Sequence, residues 1–91
     1  MKVRWANSAI ADLTEIRGYI RERNPTAAKK VAENIRSRVA LLQTQPNMGR
    51  TVPERPGARE LVVDNYVIAY EVTESAVEIV HVWHGRQRWW G

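Results

Sequence analysis

Three strands joined by two tight turns are predicted from residues 59–83, RELVVDNYVIAYEVTESAVEIVHVW. The central run, residues 66–72, alternates between two faces, with tyrosine and aliphatic side chains at even positions and Val, Ala and Glu at odd positions. Residues 64–65 and 73–76 separate the runs and have the composition of tight turns. Two short connections in succession predict a three-stranded antiparallel meander.

The third strand, residues 77–83, is expected to alternate without interruption. Ile79 and His81 would then lie on one face of the sheet, and Val80 and Val82 on the other. On this pattern His81 is expected to be a half-buried strand residue.

Two amphipathic helices are predicted upstream of the meander. The first begins near Asn7 or Ser8, either of which is a suitable N-cap. Asn24-Pro25 begins the second, because proline at the first helical position costs no hydrogen bond. The first helix has apolar residues at helical spacing at Ile10, Leu13, Ile16 and Ile20. The second has a matching stripe at Ala28, Val31, Ile35, Val39 and Leu42.

The remaining segments complete the predicted fold. Residues 2–5 have the pattern of a short strand, and residues 46–57, which hold three of the four prolines, have the composition of a loop. We predict an α+β fold in which the N-terminal strand and an α-helical hairpin pack on the antiparallel β-meander. Neither layer can bury its apolar face alone, so the helices should cover one sheet face and leave the other face, or the sheet edge, open. The length predicts a single domain over residues 1–91.

Composition excludes several classes of site. The chain has no cysteine and only two histidines, which rules out disulfides, thiolate metal sites and histidine-rich metal clusters. We expect no metal and no cofactor. No apolar run is long enough to cross a membrane, so a cytoplasmic protein without a membrane partner is predicted. Fourteen Lys and Arg against ten Asp and Glu give a net charge of +4, which suits nucleic acid or an acidic protein segment.

The segment from His84 to Trp90, HGRQRWW, combines an imidazole, two guanidiniums and two indoles. Arginine binds phosphate through paired hydrogen bonds and indoles stack on bases, so an RNA-contacting surface is one interpretation. In the other, the tryptophans cap the core and the arginines are solvated. His84 is the better candidate for general acid–base chemistry. If the proline-rich loop folds over the meander, one cationic cluster could form from Arg50, Arg55, Arg59, Arg86 and Arg88.

Several short motifs follow one another along nearly all of the chain. They are Ala11-Asp12-Leu13, Asn24-Pro25, Pro46-Asn47-Met48-Gly49-Arg50, Arg59-Glu60-Leu61-Val62-Val63, Tyr66-x-Ile68-x-Tyr70 and His84-Gly85-Arg86. With these motifs in this order, the chain resembles the RelE/ParE superfamily of toxins from bacterial type II toxin–antitoxin systems. The resemblance implies a RelE/ParE-like fold and a cognate antitoxin that neutralises the toxin in a hetero-oligomer. We expect the antitoxin to contact Leu13, Ile16 and Tyr70.

The resemblance implies two different targets. RelE-like members cut mRNA on the ribosome, and the matching catalytic set here would be Arg59, His84 and Arg86. Glu60 and Val67, however, stand where that branch usually carries basic residues. ParE-like members inhibit DNA gyrase and need no catalytic set, and we predict growth arrest by this route, with a ribosome-dependent mRNA endoribonuclease as the alternative. A non-toxic basic module that binds nucleic acid or peptides is a third hypothesis. Contact with the target or with nucleic acid is expected at Arg50, Arg59, Arg86, Arg88 and Trp89.

Overall fold

The computed structural model of the chain describes residues 1–85 and Trp90. The strands are β1 (Lys2–Trp5), β2 (Arg50–Thr51), β3 (Ala58–Val63), β4 (Tyr66–Val72) and β5 (Ala76–His84). The helices are α1 (Asn7–Arg21) and α2 (Pro25–Ala40), and a 3₁₀ turn over Leu41–Gln43 follows α2. The strands form one sheet in the order β1-β5-β4-β3-β2. The predicted α+β fold is confirmed, and within the described residues neither helix is long and apolar enough to cross a membrane.

The start of α2 is as predicted. Asn24 is the N-cap, and its Oδ1 accepts a hydrogen bond from the Ala27 N–H at 3.1 Å. Pro25 occupies the first helical position, where a missing N–H leaves no bond unmade. The predicted apolar stripe is also confirmed, because Ala28, Ile35, Val39 and Leu42 are buried and Val31 is half-buried.

The start of α1 differs from the prediction. The helix begins at Asn7, so the N-cap is Ala6, whose side chain cannot accept a hydrogen bond. The expectation that Asn7 or Ser8 fills that position is therefore wrong. The Ser8 hydroxyl instead donates a hydrogen bond to the Val80 carbonyl at 2.6 Å, which ties the first turn of α1 to the sheet.

The core lies between the two helices and one face of the sheet. It consists of Ala9, Leu13, Ile35, Val39, Leu42, Leu61, Val63, Ile68, Tyr70, Val77, Ile79 and Val82. Ile10, which is predicted to lie in the apolar stripe of α1, is 49% exposed, and Ala9 is fully buried instead. Ala9 follows Ser8, whose hydroxyl bonds to the Val80 carbonyl 72 positions away, so this rotation accompanies a contact between distant residues.

Two short strands extend the predicted meander at its edges. β1 pairs in parallel with β5, from Lys2 opposite Ala76 to Trp5 opposite Ile79. β2 pairs antiparallel with β3. β2 falls inside the segment predicted to be a loop, because two residues cannot show the alternation that marks a strand.

A β-bulge in β5 changes which side chains face the helices. Tyr70 and Ala69 of β4 pair with Ile79 and His81 of β5, so Val80 is the extra residue between them. The prediction of uninterrupted alternation is wrong from this point on. Beyond the bulge the even-numbered positions of β5 face the helices, and the odd-numbered positions, including His81, face the other side of the sheet.

The sheet face that points away from the helices, which we call the outer face, is partly covered. Val67, Ala69 and Trp83 form a second buried cluster there, and Trp90 packs against it. The sequence predicts an open face or edge at this place. Trp90 instead packs on this face and covers part of it.

Candidate functional site

A groove of about 510 Å³ runs between α1 and the ends of β4 and β5. We call it the α1 groove. Its lining residues are Asp12, Glu15, Ile16, Tyr19, Tyr66, Val82, Trp83 and His84. Apolar and aromatic side chains form most of its walls, and two carboxylates stand on the helix side. This composition suits a protein segment that offers both an apolar and a basic side chain.

The edge of β5 fixes α1 beside this groove. β1 pairs with β5 only as far as Ile79, and beyond that point α1 lies against the edge of β5 and bonds to it. The Val82 N–H donates a hydrogen bond to Asp12 Oδ2 at 3.0 Å, where a neighbouring strand would offer a carbonyl. The bond from Ser8 to the Val80 carbonyl complements it. Two side chains of one helix therefore satisfy the strand edge and hold the groove wall in position.

The same carboxylate contacts His81. Asp12 Oδ2 lies 2.9 Å from His81 Nδ1, and the imidazole stacks on the indole of Trp83 with the ring centroids 4.9 Å apart. His81 is half-buried, as the sequence predicts. Its pairing with Asp12 could not be predicted, because 69 residues separate them along the chain and the bulge decides where the imidazole points.

His84 stands on the opposite wall of the α1 groove. It is exposed, and its ring meets that of Tyr66 edge-on, with 5.9 Å between centroids. Burial raises the pKa of the Tyr66 hydroxyl and the nearby Asp64 carboxylate raises it further, so this phenol is neutral at physiological pH. A second depression of about 540 Å³, which includes Arg50, also reaches His84. His84 is therefore accessible from two sides.

Arg59 binds the loop that precedes β2. Its Nη1 donates hydrogen bonds to the carbonyls of Asn47 at 3.2 Å and Gly49 at 2.7 Å. The Tyr70 hydroxyl accepts a hydrogen bond from the Gly49 N–H at 2.8 Å and donates one to the Pro46 carbonyl at 2.9 Å. Burial raises the pKa of this hydroxyl. Arg59 and Tyr70 together hold the shape of the loop.

The predicted catalytic set is not assembled among the described residues. In the register of the sheet, Arg59 of β3 lies opposite Tyr70 of β4, and His84 of β5 lies opposite Tyr66 of β4. Arg59 and His84 are therefore offset by four positions along β4. That spacing corresponds to about 13 Å along the strand. The other residues expected to contact a target, Arg86, Arg88 and Trp89, lie outside the described residues. The expectation that Arg59 and His84 act together in one catalytic set is therefore corrected. Arg59 supports a loop at one end of the sheet, and His84 lines a groove at the other.

The residues predicted to bind an antitoxin lie at different depths. Leu13 and Tyr70 are buried beneath the helices because they form part of the core. Neither presents its side chain at the surface, which corrects the expectation for both. Ile16 is half-buried and lines the α1 groove. Tyr19, which is not among the residues predicted to bind an antitoxin, lies on the same wall and is 62% exposed.

A cluster of charged and aromatic side chains surrounds Glu60 on the outer face. Glu60 is 7% exposed and accepts hydrogen bonds from Arg50 Nε at 3.2 Å and from Trp90 Nε1 at 2.8 Å. The Trp90 ring meets that of Trp83 edge-on at 5.5 Å, and Arg55 Nη1 donates a hydrogen bond to the Trp90 carbonyl at 2.9 Å. Both arginines are thus engaged by other groups of the described residues, as Arg59 is by the loop before β2. Among these three arginines, the cationic cluster that the sequence allows is not formed, and its other two candidates, Arg86 and Arg88, lie outside the described residues.

The chain is similar to known toxins over nearly its whole length. Residues 3–89 match the family described as ParE toxin of type II toxin-antitoxin system, parDE. Toxin RelE2 of Caulobacter vibrioides is 39% identical over 84 residues, which cover 91% of this chain and 93% of the relative. Toxin RelE3 of the same organism is 33% identical over 81 residues, which cover 85% and 86%. A solved structure titled as the chromosomal ParDE system from P. aeruginosa matches with a TM-score of 0.81 and 27% identity over 92% of this chain and 95% of that one.

Proposed function

This chain belongs to the ParE toxin family of type II toxin–antitoxin systems, and from that premise we propose that it arrests growth by binding DNA gyrase. We further propose that a cognate antitoxin neutralises it by placing a segment in the α1 groove. Both partners are proteins, so the proposal requires a surface for protein contact rather than a catalytic centre. Because gyrase acts on bacterial DNA, the proposal places the chain in the cytoplasm.

The chemistry of the α1 groove supports a protein ligand. Ile16 and Tyr19 offer apolar contact area on one wall, and aromatic residues form the opposite wall. The carboxylates of Asp12 and Glu15 would repel the phosphates of a nucleic acid, but they would attract a basic side chain of a protein. An antitoxin segment with an apolar anchor beside a Lys or Arg fits both features.

The outer face also supports a binding mechanism. RNA cleavage needs cations that hold the phosphate and stabilise the charge of the transition state. On the described part of the chain, Arg59 is bound to a loop and Arg50 is paired with the buried Glu60. Val67, near the centre of the face, is apolar and buried. A toxin that acts by binding gyrase needs no cationic set there, so gyrase inhibition fits these residues best.

The test combines a biochemical assay with a cellular one. We expect the purified chain to inhibit supercoiling of relaxed plasmid by purified gyrase. Induced in bacteria, it should cause filamentation and a DNA-damage response before protein synthesis falls. Intact supercoiling activity at a large excess of toxin would contradict the proposed target. Normal growth with well-folded protein would instead favour the non-toxic binding module.

Two substitutions in α1 test whether the antitoxin binds in the α1 groove. Tyr19→Ala removes an exposed aromatic side chain that lines the α1 groove, and Ile10→Ala removes an exposed apolar side chain of the same helix outside it. We expect Tyr19→Ala to weaken binding of the cognate antitoxin about tenfold or more, as loss of an aromatic interface anchor does. Ile10→Ala should bind as the unmodified chain does. Equal effects of the two substitutions would place the antitoxin elsewhere.

One observation favours ribosome-dependent mRNA cleavage as a second candidate. His84 is exposed, and one depression is lined by both His84 and Arg50, whose guanidinium is paired with Glu60 but remains exposed. A base and a cation are the groups that phosphodiester cleavage uses. Under this alternative, induction should give early arrest of protein synthesis and cuts in mRNA that follow the codon phase. His84→Ala should abolish the cuts and leave the antitoxin affinity unchanged. Gyrase inhibition predicts no such cuts.

A further inference from the structure

A second groove, of about 300 Å³, lies on the helical hairpin between α1 and α2. We call it the hairpin groove. Its lining residues are Arg17, Arg21, Pro25, Ala28, Lys29, Ala32, Glu33 and Arg36. The two alanines are buried, so the base of the groove is small and apolar while its rims carry four cations and one carboxylate. Neither gyrase inhibition nor antitoxin binding at the α1 groove accounts for it.

The cations of the hairpin groove have no partners within residues 1–85 and Trp90. None of the four forms an ion pair or a side-chain hydrogen bond there. The situation on the outer face is different, because Arg50 pairs with Glu60 and Arg55 with Glu71. Like charges that share a groove repel one another, and a bound anion would relieve that repulsion.

We propose that the hairpin groove binds the phosphate backbone of double-stranded nucleic acid. Three of its four cations are arginines, whose planar guanidiniums grip phosphate oxygens through two parallel hydrogen bonds. Arg17 and Arg21 lie one turn apart on α1, and Arg36 approaches from α2, so the cations stand on both rims. A phosphate group that enters the groove meets cations from both helices.

The lining residues favour a duplex over other polyanions. An acidic protein segment would need a large apolar anchor at the centre of its interface, and a single strand would need aromatic side chains for base stacking. The lining of the hairpin groove provides neither. Tyr19, the one tyrosine of α1, lines the α1 groove instead, and the guanidinium of Arg23 lies over its ring at 4.1 Å. Recognition of a backbone needs only fixed cations.

The test measures the salt dependence of binding. Fluorescence anisotropy would measure the binding of the folded chain to five kinds of labelled ligand. These are a 20-base-pair DNA duplex, a 20-base-pair RNA duplex, the corresponding DNA and RNA single strands, and a glutamate-rich peptide. The double variant Arg21→Gln with Arg36→Gln removes one exposed cation from each rim. Its matched control, Lys30→Gln with Arg38→Gln, removes two exposed and unpaired cations of α2 that lie outside the groove.

We expect the groove variant to bind duplex at least about tenfold more weakly at low salt than the unmodified chain. The slope of log affinity against log salt should fall in magnitude by about 1.8, since each lost phosphate contact contributes about 0.9. The control should retain the slope of the unmodified chain, and circular dichroism checks that both variants are folded. Equal losses in the two variants would overturn the proposal, as would tighter binding to the single strands or to the acidic peptide, or no duplex binding at low salt. None of these outcomes depends on gyrase inhibition.

Discussion

The hydroxyl of Tyr70 lies so close to Gly49 that no side chain fits at position 49. The Gly49 N–H donates a hydrogen bond to this hydroxyl at 2.8 Å. A Cβ atom at position 49 would lie 2.7 Å from the same oxygen and 2.8 Å from the Glu60 carbonyl oxygen. The central strand therefore holds the loop before β2 through a buried polar contact, and the packing around that contact requires glycine.

Gly49→Ala tests this relationship. We expect the free energy of unfolding to fall by about 1–3 kcal/mol, because the new methyl group must displace a buried hydroxyl and a neighbouring backbone. Gly18→Ala is the control, since a Cβ at position 18 of α1 meets nothing within 4 Å. The control should gain about 0.5–1 kcal/mol, as glycine is unfavourable inside a helix. Urea denaturation measures both values, and a neutral Gly49→Ala variant would contradict the close contact.

The Tyr70 hydroxyl also predicts a dependence on alkaline pH. Burial raises its pKa above the unfolded value, which is near 10. Between the two values the folded state holds a proton that the unfolded state has lost, so the stabilisation is complete below about pH 10 and is lost as the pH rises through the folded pKa. Unfolding free energies measured from pH 8 to 11 should decline, and Tyr70→Phe should remove part of that decline. The variant should also be less stable at pH 8, because the Gly49 N–H and Pro46 carbonyl lose their partner. A decline of the same size in Tyr70→Phe would count against this assignment.

The regular elements of the fold could be predicted because their patterns are local. The alternation over residues 66–72 and the Asn24-Pro25 start of α2 both involve neighbouring residues, and both are confirmed. The bulge at Val80 and the rotation that buries Ala9 could not be predicted. Both occur where Ser8 and Asp12 of α1 bond to the edge of β5, and these partners are 72 and 70 positions apart in the sequence.

The candidate site was only partly predictable for the same reason. His84 is the last residue of β5 and is exposed, as expected for a residue at the end of the strand predicted over residues 77–83. The positive charge of Arg59 indicates a residue that could bind a phosphate or an acidic partner. Its guanidinium instead binds carbonyls of a loop, and the sequence alone does not show that this loop lies beside it. Ile16 was identified from helical spacing, whereas Leu13 has the same spacing and is buried. Spacing identifies an apolar face of a helix, and packing decides which of its residues remain accessible.

Asp12 should stabilise the fold more than Glu15, the other carboxylate that lines the α1 groove. Asp12→Ala removes the acceptor of the Val82 N–H and the partner of His81, so we expect the free energy of unfolding to fall by about 1–3 kcal/mol. Glu15→Ala, one turn further along α1, removes a carboxylate that forms no hydrogen bond or ion pair within the described residues. It should change stability by less than about 0.5 kcal/mol. Hydrogen exchange at the Val82 amide provides a local readout, and unaltered protection in Asp12→Ala would show that the carboxylate does not hold the strand edge.

Trp90 should stabilise the sheet through two separable contacts. Its ring packs against Trp83, and its Nε1 donates a hydrogen bond to the buried carboxylate of Glu60. Trp90→Phe keeps an aromatic ring but leaves that carboxylate with one donor fewer, which should lower the free energy of unfolding by about 1–2 kcal/mol. Trp90→Ala should cost about 1–2 kcal/mol more, because it also uncovers the apolar surface around Trp83. Urea denaturation would separate the two contributions. If Trp90→Ala were as stable as the unmodified chain, the packing of Trp90 on the outer face would contribute nothing to the fold.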